Sequence, residues 1–169
     1  MRHVRHTVDF AQLLLDGKRG KILREIFLIY PIQILPDSIY TIRGIHIPHD
    51  MHSLTTPISD EFISAGLGFV CHVVSLCSKY LAIPLRYRVI CNSSRSAVRD
   101  DDFDDVFPLF KEKVIEKVQF DRAVELLHRN IDLLLQMNGI TTTNMMKSRP
   151  NHILAKLHLL FKEIMETCE

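Results

Sequence analysis

One stretch constrains the fold of this sequence more than any other: the long apolar run from residue 60 to residue 82. Between Phe62 and Leu81 almost every turn of a helix would be apolar. The polar exceptions recur every three or four residues, at Glu61, Ser64, Gly68, His72, Ser75 and Lys79. This spacing predicts a central helix that is covered on all sides except along one narrow polar stripe. Ser59 suits its N-cap, and the Ile83-Pro84 step ends it.

A strand pattern follows this helix directly. Apolar and polar residues alternate through Leu85, Arg86, Tyr87, Arg88 and Val89, which is the period of a half-buried strand. A buried helix beside such a strand indicates the α+β (mixed α/β) class. We predict one mixed sheet, built from a hairpin over 31 to 47 and strands over 85 to 91 and 106 to 110. Helices over 60 to 82 and 120 to 138 pack on it, and Gly68 allows a neighbouring element to approach closely.

The same run is long enough to cross a membrane, for which about 20 mostly apolar residues suffice. Its polar stripe includes His72 and Lys79, well inside the run. Ionisable groups at that depth are costly in a bilayer. We therefore favour a buried helix of a soluble domain over a membrane span.

Composition narrows the class of protein. The chain has 169 residues, 47% of them hydrophobic, and a net charge of +1. This length predicts about one domain, and the charge does not favour nucleic acid as a partner. The four cysteines, with no signal peptide ahead of them, indicate reduced thiols in a cytosolic setting.

Residues 1 to 29 are predicted to form an N-terminal helix ahead of a single domain over 30 to 169. A heptad-like seam, with spacings of four and three residues, runs through Val4, Val8, Ala11, Leu15, Lys18 and Ile22. Such a seam is typical of a coiled coil, of which this helix would be the end. Gly17 and Gly20 predict a break in the helix, because each glycine costs about 1 kcal/mol relative to alanine. An ordinary surface helix is the alternative.

The remaining segments are predicted from shorter patterns. Two β-rich runs, 31 to 35 and 38 to 47, flank a turn at Pro36-Asp37. The polar and acidic segment 92 to 105 is predicted to be a surface excursion without a strand, either ordered or poorly ordered. Helices follow over about 119 to 138, ending at Gly139, and over about 150 to 166.

Motifs for catalysis are not found. The sequence has no nucleophile elbow, Walker loop or dinucleotide fingerprint. His46, His49 and His52 are spaced by three residues, which leaves a metal-binding protein or small enzyme as the alternative function. We expect a protein without catalytic activity, metal or cofactor.

Several short pieces of the sequence together resemble a known family. They are Tyr30-Pro31-Ile32, the run 65 to 69 with 72 to 75, Ile83 to Tyr87, Ser94-Arg95-Ser96, Phe107-Pro108-Leu109, and Gln119 to Asp121 with Leu126-Leu127 and Asn130-Ile131. In order and approximate spacing they resemble the C-terminal domain of the UVRAG family. That domain is similar to the β-α repeated domain of Beclin. The resemblance covers residues 19 to 165.

This resemblance implies a scaffold of the class III phosphatidylinositol 3-kinase complex, paired with a Beclin-like subunit. The protein would be cytoplasmic and peripheral on endosomes and autophagic membranes, with roles in endocytic trafficking and autophagy. The family's longer coiled coil, its C2-like region and its tail have no counterpart here. The sequence is therefore expected to be an excised domain or a short form.

Two sets of contact residues are predicted on this basis. Val8, Leu15 and Ile22 of the seam would bind the Beclin-like partner. Arg95, Arg99 and Phe103 would contact the membrane, since exposed rings insert at the interface and cations meet anionic head groups. The five aspartates of 100 to 105 oppose that contact. The isolated domain is therefore predicted to bind anionic vesicles weakly.

Overall fold

Two units, each a three-stranded sheet followed by a long helix, form the body of the fold. The computed structural model describes residues 2 to 49, 58 to 112, 117 to 140 and 152 to 167, with side chains from residue 9 to 166. In chain order the elements are α1 (Arg2–Ile29), β1 (Ile32–Leu35), β2 (Ile39–Ile42), β3 (Ile45–His46), α2 (Asp60–Leu81), β4 (Arg88–Ile90), β5 (Ala97–Asp100), β6 (Asp105–Pro108), α3 (Lys117–Met137) and α4 (Ile153–Thr167). The mixed α+β class with an N-terminal helix is confirmed.

The prediction of one mixed sheet is wrong. The strands form two separate sheets, β1-β2-β3 and β4-β5-β6, and every strand pair is antiparallel. The run 38 to 47 folds back on itself at Arg43 and Gly44, both of which have positive φ. Because this turn supplies β3 as a third strand, the first sheet is complete without strands from later in the chain.

The prediction of a surface excursion without a strand over 92 to 105 is also wrong. This segment contains β5, the central strand of the second sheet, where Ala97, Val98 and Asp100 are buried. The acidic residues after β5 form the turn into β6, in which an Asp100 carboxylate oxygen accepts from the Asp102 N–H at 3.3 Å. Acidity here therefore marks a hairpin turn and not disorder.

The central helix α2 lies as predicted. Ser59 caps it, its hydroxyl oxygen accepting from the Phe62 N–H at 3.4 Å, and Ala82 ends it in the left-handed conformation. The most apolar part of α2 is long enough to cross a membrane by length and composition, and 56% of that part is buried inside the protein. This burial is what the packed-helix interpretation predicts.

Two glycines bring α2 close to its neighbours. A Cβ on Gly66 would lie 3.1 Å from a side-chain carbon of Ile47, next to β3. A Cβ on Gly68 would lie only 2.0 Å from the Ser93 carbonyl oxygen, in the short 3-10 turn before β5. The close approach expected at Gly68 is therefore present. The polar stripe predicted for α2 is also partly covered, since Ser64 and Gly68 are buried.

Helix α3 packs beside α2 and is tied to β4 by one buried side chain. Asn130 is fully buried; its Oδ1 accepts from the Tyr87 N–H at 3.1 Å and its Nδ2 donates to the Tyr87 carbonyl at 2.8 Å. The amide thus gives this backbone position the two bonds that a further strand would supply. Helix α3 ends before Gly139, whose φ is +71°.

Helix α1 is continuous, so the break predicted at Gly17 and Gly20 is wrong. The last third of the helix packs into the core through Leu23 and Ile26, which are buried. The Phe27 ring lies 5.4 Å from that of Phe161 on α4. Burial of these side chains, at about 1.5 to 3 kcal/mol each, outweighs the glycine cost of about 1 kcal/mol each.

Candidate interaction surfaces

The first half of α1 exposes large apolar side chains. Phe10 is 62% exposed, Leu13 70%, Leu14 52% and Leu15 42%. Soluble domains normally bury most large apolar side chains. A contiguous exposed set of them is typical of an interaction site. This part of α1 is therefore a candidate partner surface.

The predicted seam residues have different environments. Leu15 is exposed, as a partner contact requires, whereas Ile22 is half-buried and packs against the core. The side chain of Val8 lies outside the described side chains. The contact through Val8, Leu15 and Ile22 stays a prediction, and replacing Ile22 would perturb the core as well as any interface.

Polar residues occupy the other side of this half of the helix. At about 100° per residue, Gln12 and Asp16 lie on the same side of α1 as Leu23. The Gln12 amide donates to the Asp16 carboxylate at 3.0 Å, and Arg19 pairs with it at 3.2 Å. The side of α1 that is buried in its last third therefore carries polar residues in its first half. The exposed apolar residues of the first half lie on other sides of the helix.

The predicted membrane residues lie in β5 and in the turns before and after it. Arg99 pairs with Asp101 at 3.1 Å and with Asp104. Arg95 pairs with Glu112, and its guanidinium lies 5.4 Å from the centre of the Phe110 ring. Phe103, at the tip of the β5-β6 hairpin, is 74% exposed. Both arginines are therefore neutralised within the domain, and the exposed ring stands in an acidic turn.

The histidine loop behind the metal alternative is only partly described. A ring nitrogen of His46 bonds the Tyr40 carbonyl at 3.1 Å, and the His49 ring stacks on that of His152 with centres 6.2 Å apart. His52 lies outside the described residues. Among the described residues, no three His, Cys, Asp or Glu side chains are grouped as metal ligands.

Several pieces that carry the family resemblance meet around one cleft of about 580 Å³. It is lined by Tyr30, Ala65, Gly68, Phe69, His72, Cys91, Ser93 and Ser94. The Tyr30 hydroxyl lies 2.5 Å from Nδ1 of His72, and the Tyr30 and Phe69 rings are 5.9 Å apart. These contacts join α1, α2 and the turn before β5. The shared residues therefore have structural roles at a three-way junction.

The described cysteines are free thiols. Cys71 and Cys77 are buried and Cys91 is exposed. Burial raises the pKa of Cys77 to about 12 and also raises the pKa values of Cys71 and Cys91. All three are therefore protonated at neutral pH, which disfavours a nucleophilic or thiolate-ligand role.

Sequence reasoning missed a polar cluster between α3 and α4. Lys156 is buried and pairs with Asp132 at 2.7 Å. Nδ1 of His128 is buried and has no hydrogen-bond partner among the described residues. Burial, together with the charge of Lys156, lowers the pKa of His128 to about 4 against the opposing effect of Asp132; His152 and His49 also lower it. No sequence pattern predicted this cluster, since Lys156 lies 24 residues after Asp132 and on another helix.

We expect stability to fall as the pH decreases from about 6.5 to about 4. Unfolded His128 binds a proton near its ordinary value of 6.5, whereas folded His128 resists protonation down to about 4. The unfolded state therefore binds more protons in this window, so the contribution is complete above pH 6.5 and is lost below it. The largest loss of unfolding free energy expected from His128 is about 3 kcal/mol, at 1.36 kcal/mol per pKa unit.

Urea unfolding at several pH values between 7.5 and 4 measures this dependence of stability on pH. His128→Phe should flatten the profile, while His158, whose pKa burial also lowers, leaves a residual slope in the same direction. An unchanged slope in His128→Phe would contradict the assignment.

Comparison with known proteins identifies several relatives. The chain is 34% identical to the UV radiation resistance-associated protein of Mus musculus over 147 residues, which are 83% of this chain and 20% of that protein. It is 30% identical to vacuolar protein sorting-associated protein 38 of Schizosaccharomyces pombe over 152 residues, 82% of this chain and 31% of that protein. It is 26% identical to the UV radiation resistance-associated gene protein of Drosophila melanogaster over 136 residues, 70% of this chain and 19% of that protein.

The chain thus spans less than a third of the length of each of these relatives. No protein-family model matches it.

Proposed function

We propose, because the chain belongs to the family of the UV radiation resistance-associated proteins, that it is a non-catalytic scaffold of a class III phosphatidylinositol 3-kinase complex. The kinase subunits would carry the chemistry, and this chain would pack beside a Beclin-like subunit. The complex would serve endocytic trafficking and autophagy from the surface of endosomes and autophagic membranes. The similarity to a vacuolar sorting protein supports this setting.

The exposed apolar half of α1 carries the proposal. A chain whose only task was to fold would gain nothing from Phe10, Leu13 and Leu14, which are more than half exposed. Burying each of them in an interface is worth about 1.5 to 3 kcal/mol before the costs of association. A helical partner such as a coiled-coil subunit would cover them.

Co-purification tests the proposal. The whole chain, co-expressed with a Beclin-like subunit and the lipid kinase, is expected to elute with both in a single complex. Elution of the chain alone would contradict it. Metal analysis of the same preparation examines the alternative, since a stoichiometric metal would favour the function predicted from His46, His49 and His52.

We also expect weak binding of the isolated chain to anionic membranes, with recruitment depending on the assembled complex. Arg95 and Arg99 are already paired with carboxylates of the domain, so little net positive charge remains to attract lipid head groups. Flotation with endosome-like vesicles measures this, with Phe103→Asp as the matched variant. Tight, salt-sensitive binding that Phe103→Asp abolishes would show that Phe103 and its arginines form a membrane contact after all.

A further inference from the structure

The cleft between α1, α2 and the turn before β5 has a cation at its rim. Tyr30 and Phe69 line this cleft, which has a volume of about 580 Å³. The Arg43 guanidinium lies 5.7 Å from the centre of the Phe69 ring, and its Nη1 donates to the Ile29 carbonyl at 2.6 Å. Because Ile29 directly precedes Tyr30, both contacts hold the guanidinium beside the cleft. The cation is therefore in position before any ligand binds.

The charge of Arg43 is not neutralised by a carboxylate among the described residues. Arg86, Arg88, Arg95 and Arg99 each pair with one, whereas Arg43 donates to a backbone carbonyl. A guanidinium has five N–H donors, so one bond leaves four of them for a ligand. The C-terminus of α1 offsets roughly half of a charge at most. A net positive charge therefore remains at the rim.

The lining of the cleft adds donors and no negative charge. None of the described residues that line it is acidic, and burial raises the pKa of the Cys91 thiol, which is therefore protonated at neutral pH. The Tyr30 hydroxyl and Nδ1 of His72 share a hydrogen bond of 2.5 Å. If the hydroxyl donates, Nε2 of His72 carries a free N–H; if Nδ1 donates, the hydroxyl proton is free. Either tautomer thus leaves one donor for a ligand, and the exposed Ser94 supplies a further hydroxyl.

Aromatic rings form a wall beside these donors. The Tyr30 and Phe69 rings are 5.9 Å apart and tilted by 51°. Small-molecule sites typically combine such apolar walls with a few convergent polar groups. Arginine suits phosphate in particular, because its planar donors match two phosphate oxygens at once. The donors and the cation therefore favour an anionic oxygen group, and the rings favour an apolar group attached to it.

A soluble ligand fits these surroundings better than a lipid head group. Arg95, the residue after Ser94, is paired with Glu112 and adds no free positive charge. One unpaired cation attracts an anionic membrane only weakly.

We propose that this cleft binds a small, soluble phosphate monoester that carries an aromatic group. Arg43, His72 and Ser94 hold the phosphate, and Tyr30 and Phe69 contact the aromatic group. The ligand touches α1, α2 and the turn before β5 at the same time, so its binding also stabilises this junction. The site is independent of the proposed scaffold role.

Calorimetric titration of the whole chain with phenyl phosphate tests the site, with inorganic phosphate and phenol as the two partial ligands. Phenyl phosphate should bind with a Kd about tenfold or more below that of either, since each part of it makes its own contacts. Arg43→Gln should raise this Kd about tenfold or more, the usual effect of losing a hydrogen bond to a charged group. Arg43→Lys should raise it only about threefold, because lysine keeps the charge but not the paired donors.

Matched variants control for charge and for folding. Arg88→Gln removes the same charge outside the lining of the cleft and should change the Kd less than about twofold. Thermal unfolding reports whether each variant is folded. If Arg43→Gln does not fold, His72→Phe replaces it in the test; His72 is exposed, and loss of its ring nitrogens should raise the Kd about threefold.

Three results would overturn the proposal: no binding of phenyl phosphate, equal Kd values for phenyl phosphate and inorganic phosphate, or equal losses of affinity in Arg43→Gln and Arg88→Gln. Flotation with vesicles that contain phosphatidic acid separates the two sources of a phosphate monoester. Little binding, unchanged in Arg43→Gln, is expected. Tight binding that Arg43→Gln abolishes would assign the cleft to a lipid head group and overturn the soluble ligand.

Discussion

A Gly68→Ala variant is expected to lose about 3 kcal/mol of unfolding free energy, at the upper end of typical overpacking costs. The added methyl would lie 2.0 Å from the Ser93 carbonyl oxygen and 2.7 Å from its carbon. These are backbone atoms in the turn that leads into β5, so the clash is relieved only by moving that turn away from α2. For a chain of this size the expected fall in melting temperature is about 6 to 12 °C.

Gly66→Ala is the matched control on the same helix. The atoms nearest to its methyl would be side-chain carbons of Ile45 and Ile47, at 3.1 to 3.2 Å. Side-chain atoms of this kind move by a few tenths of an ångström at low cost. We expect Gly66→Ala to change the melting temperature by no more than a third of the Gly68→Ala effect. Equal effects would mean that α2 does not contact the turn before β5 as described.

An Asn130→Ala variant is expected to lose about 2 to 5 kcal/mol, because the N–H and the carbonyl of Tyr87, which face the fully buried Asn130 amide, lose this partner. The two bonds, at 3.1 and 2.8 Å, link α3 to the segment entering β4, beside the bond from Arg129 to the Tyr87 hydroxyl at 3.3 Å. Chemical denaturation at pH 7 measures the loss. A change below about 0.5 kcal/mol, the usual range for surface substitutions, would contradict it.

Asn130→Asp separates the two bonds. The carboxylate still accepts from the Tyr87 N–H, but it cannot donate to the carbonyl, and burial of its charge raises its pKa. Measured against the unsubstituted chain at each pH, the loss should shrink as the pH is lowered and the protonated carboxyl regains a donor. A loss that is independent of pH would indicate that the site admits water.

Local patterns predicted the helices well. The apolar run of α2, the cap at Ser59 and the stop at Gly139 are all readable over a few residues, and each lies where the pattern puts it. Such features are encoded by neighbours along the chain, so a single sequence suffices to find them. The β-α repeated domain, in contrast, was implied by the family resemblance and not by these patterns.

The features that local patterns did not predict depend on contacts between residues far apart in the sequence. Segment 92 to 105 is too polar to predict a strand, and it becomes one because β4 and β6 pair with it on both sides. The separation into two sheets depends on a turn at Arg43 and Gly44. On α1, heptad spacing does not show which seam residues the domain covers. Packing against the core separates Ile22 from Leu15, which is exposed.

Because α1 is anchored at one end only, a small rotation of the anchored part produces a larger displacement of the other end. The helix is anchored by the packing of Leu23, Ile26 and Phe27, and Arg2 at its far end lies about 32 Å from Leu23 at 1.5 Å per residue. A tilt of about 10° at the anchored region would therefore move the far end by roughly 6 Å. Slight repacking of Phe27 against Phe161 and His158 is thus amplified along the helix, so the position of the exposed first half of α1 depends on how firmly the Phe27 ring is held.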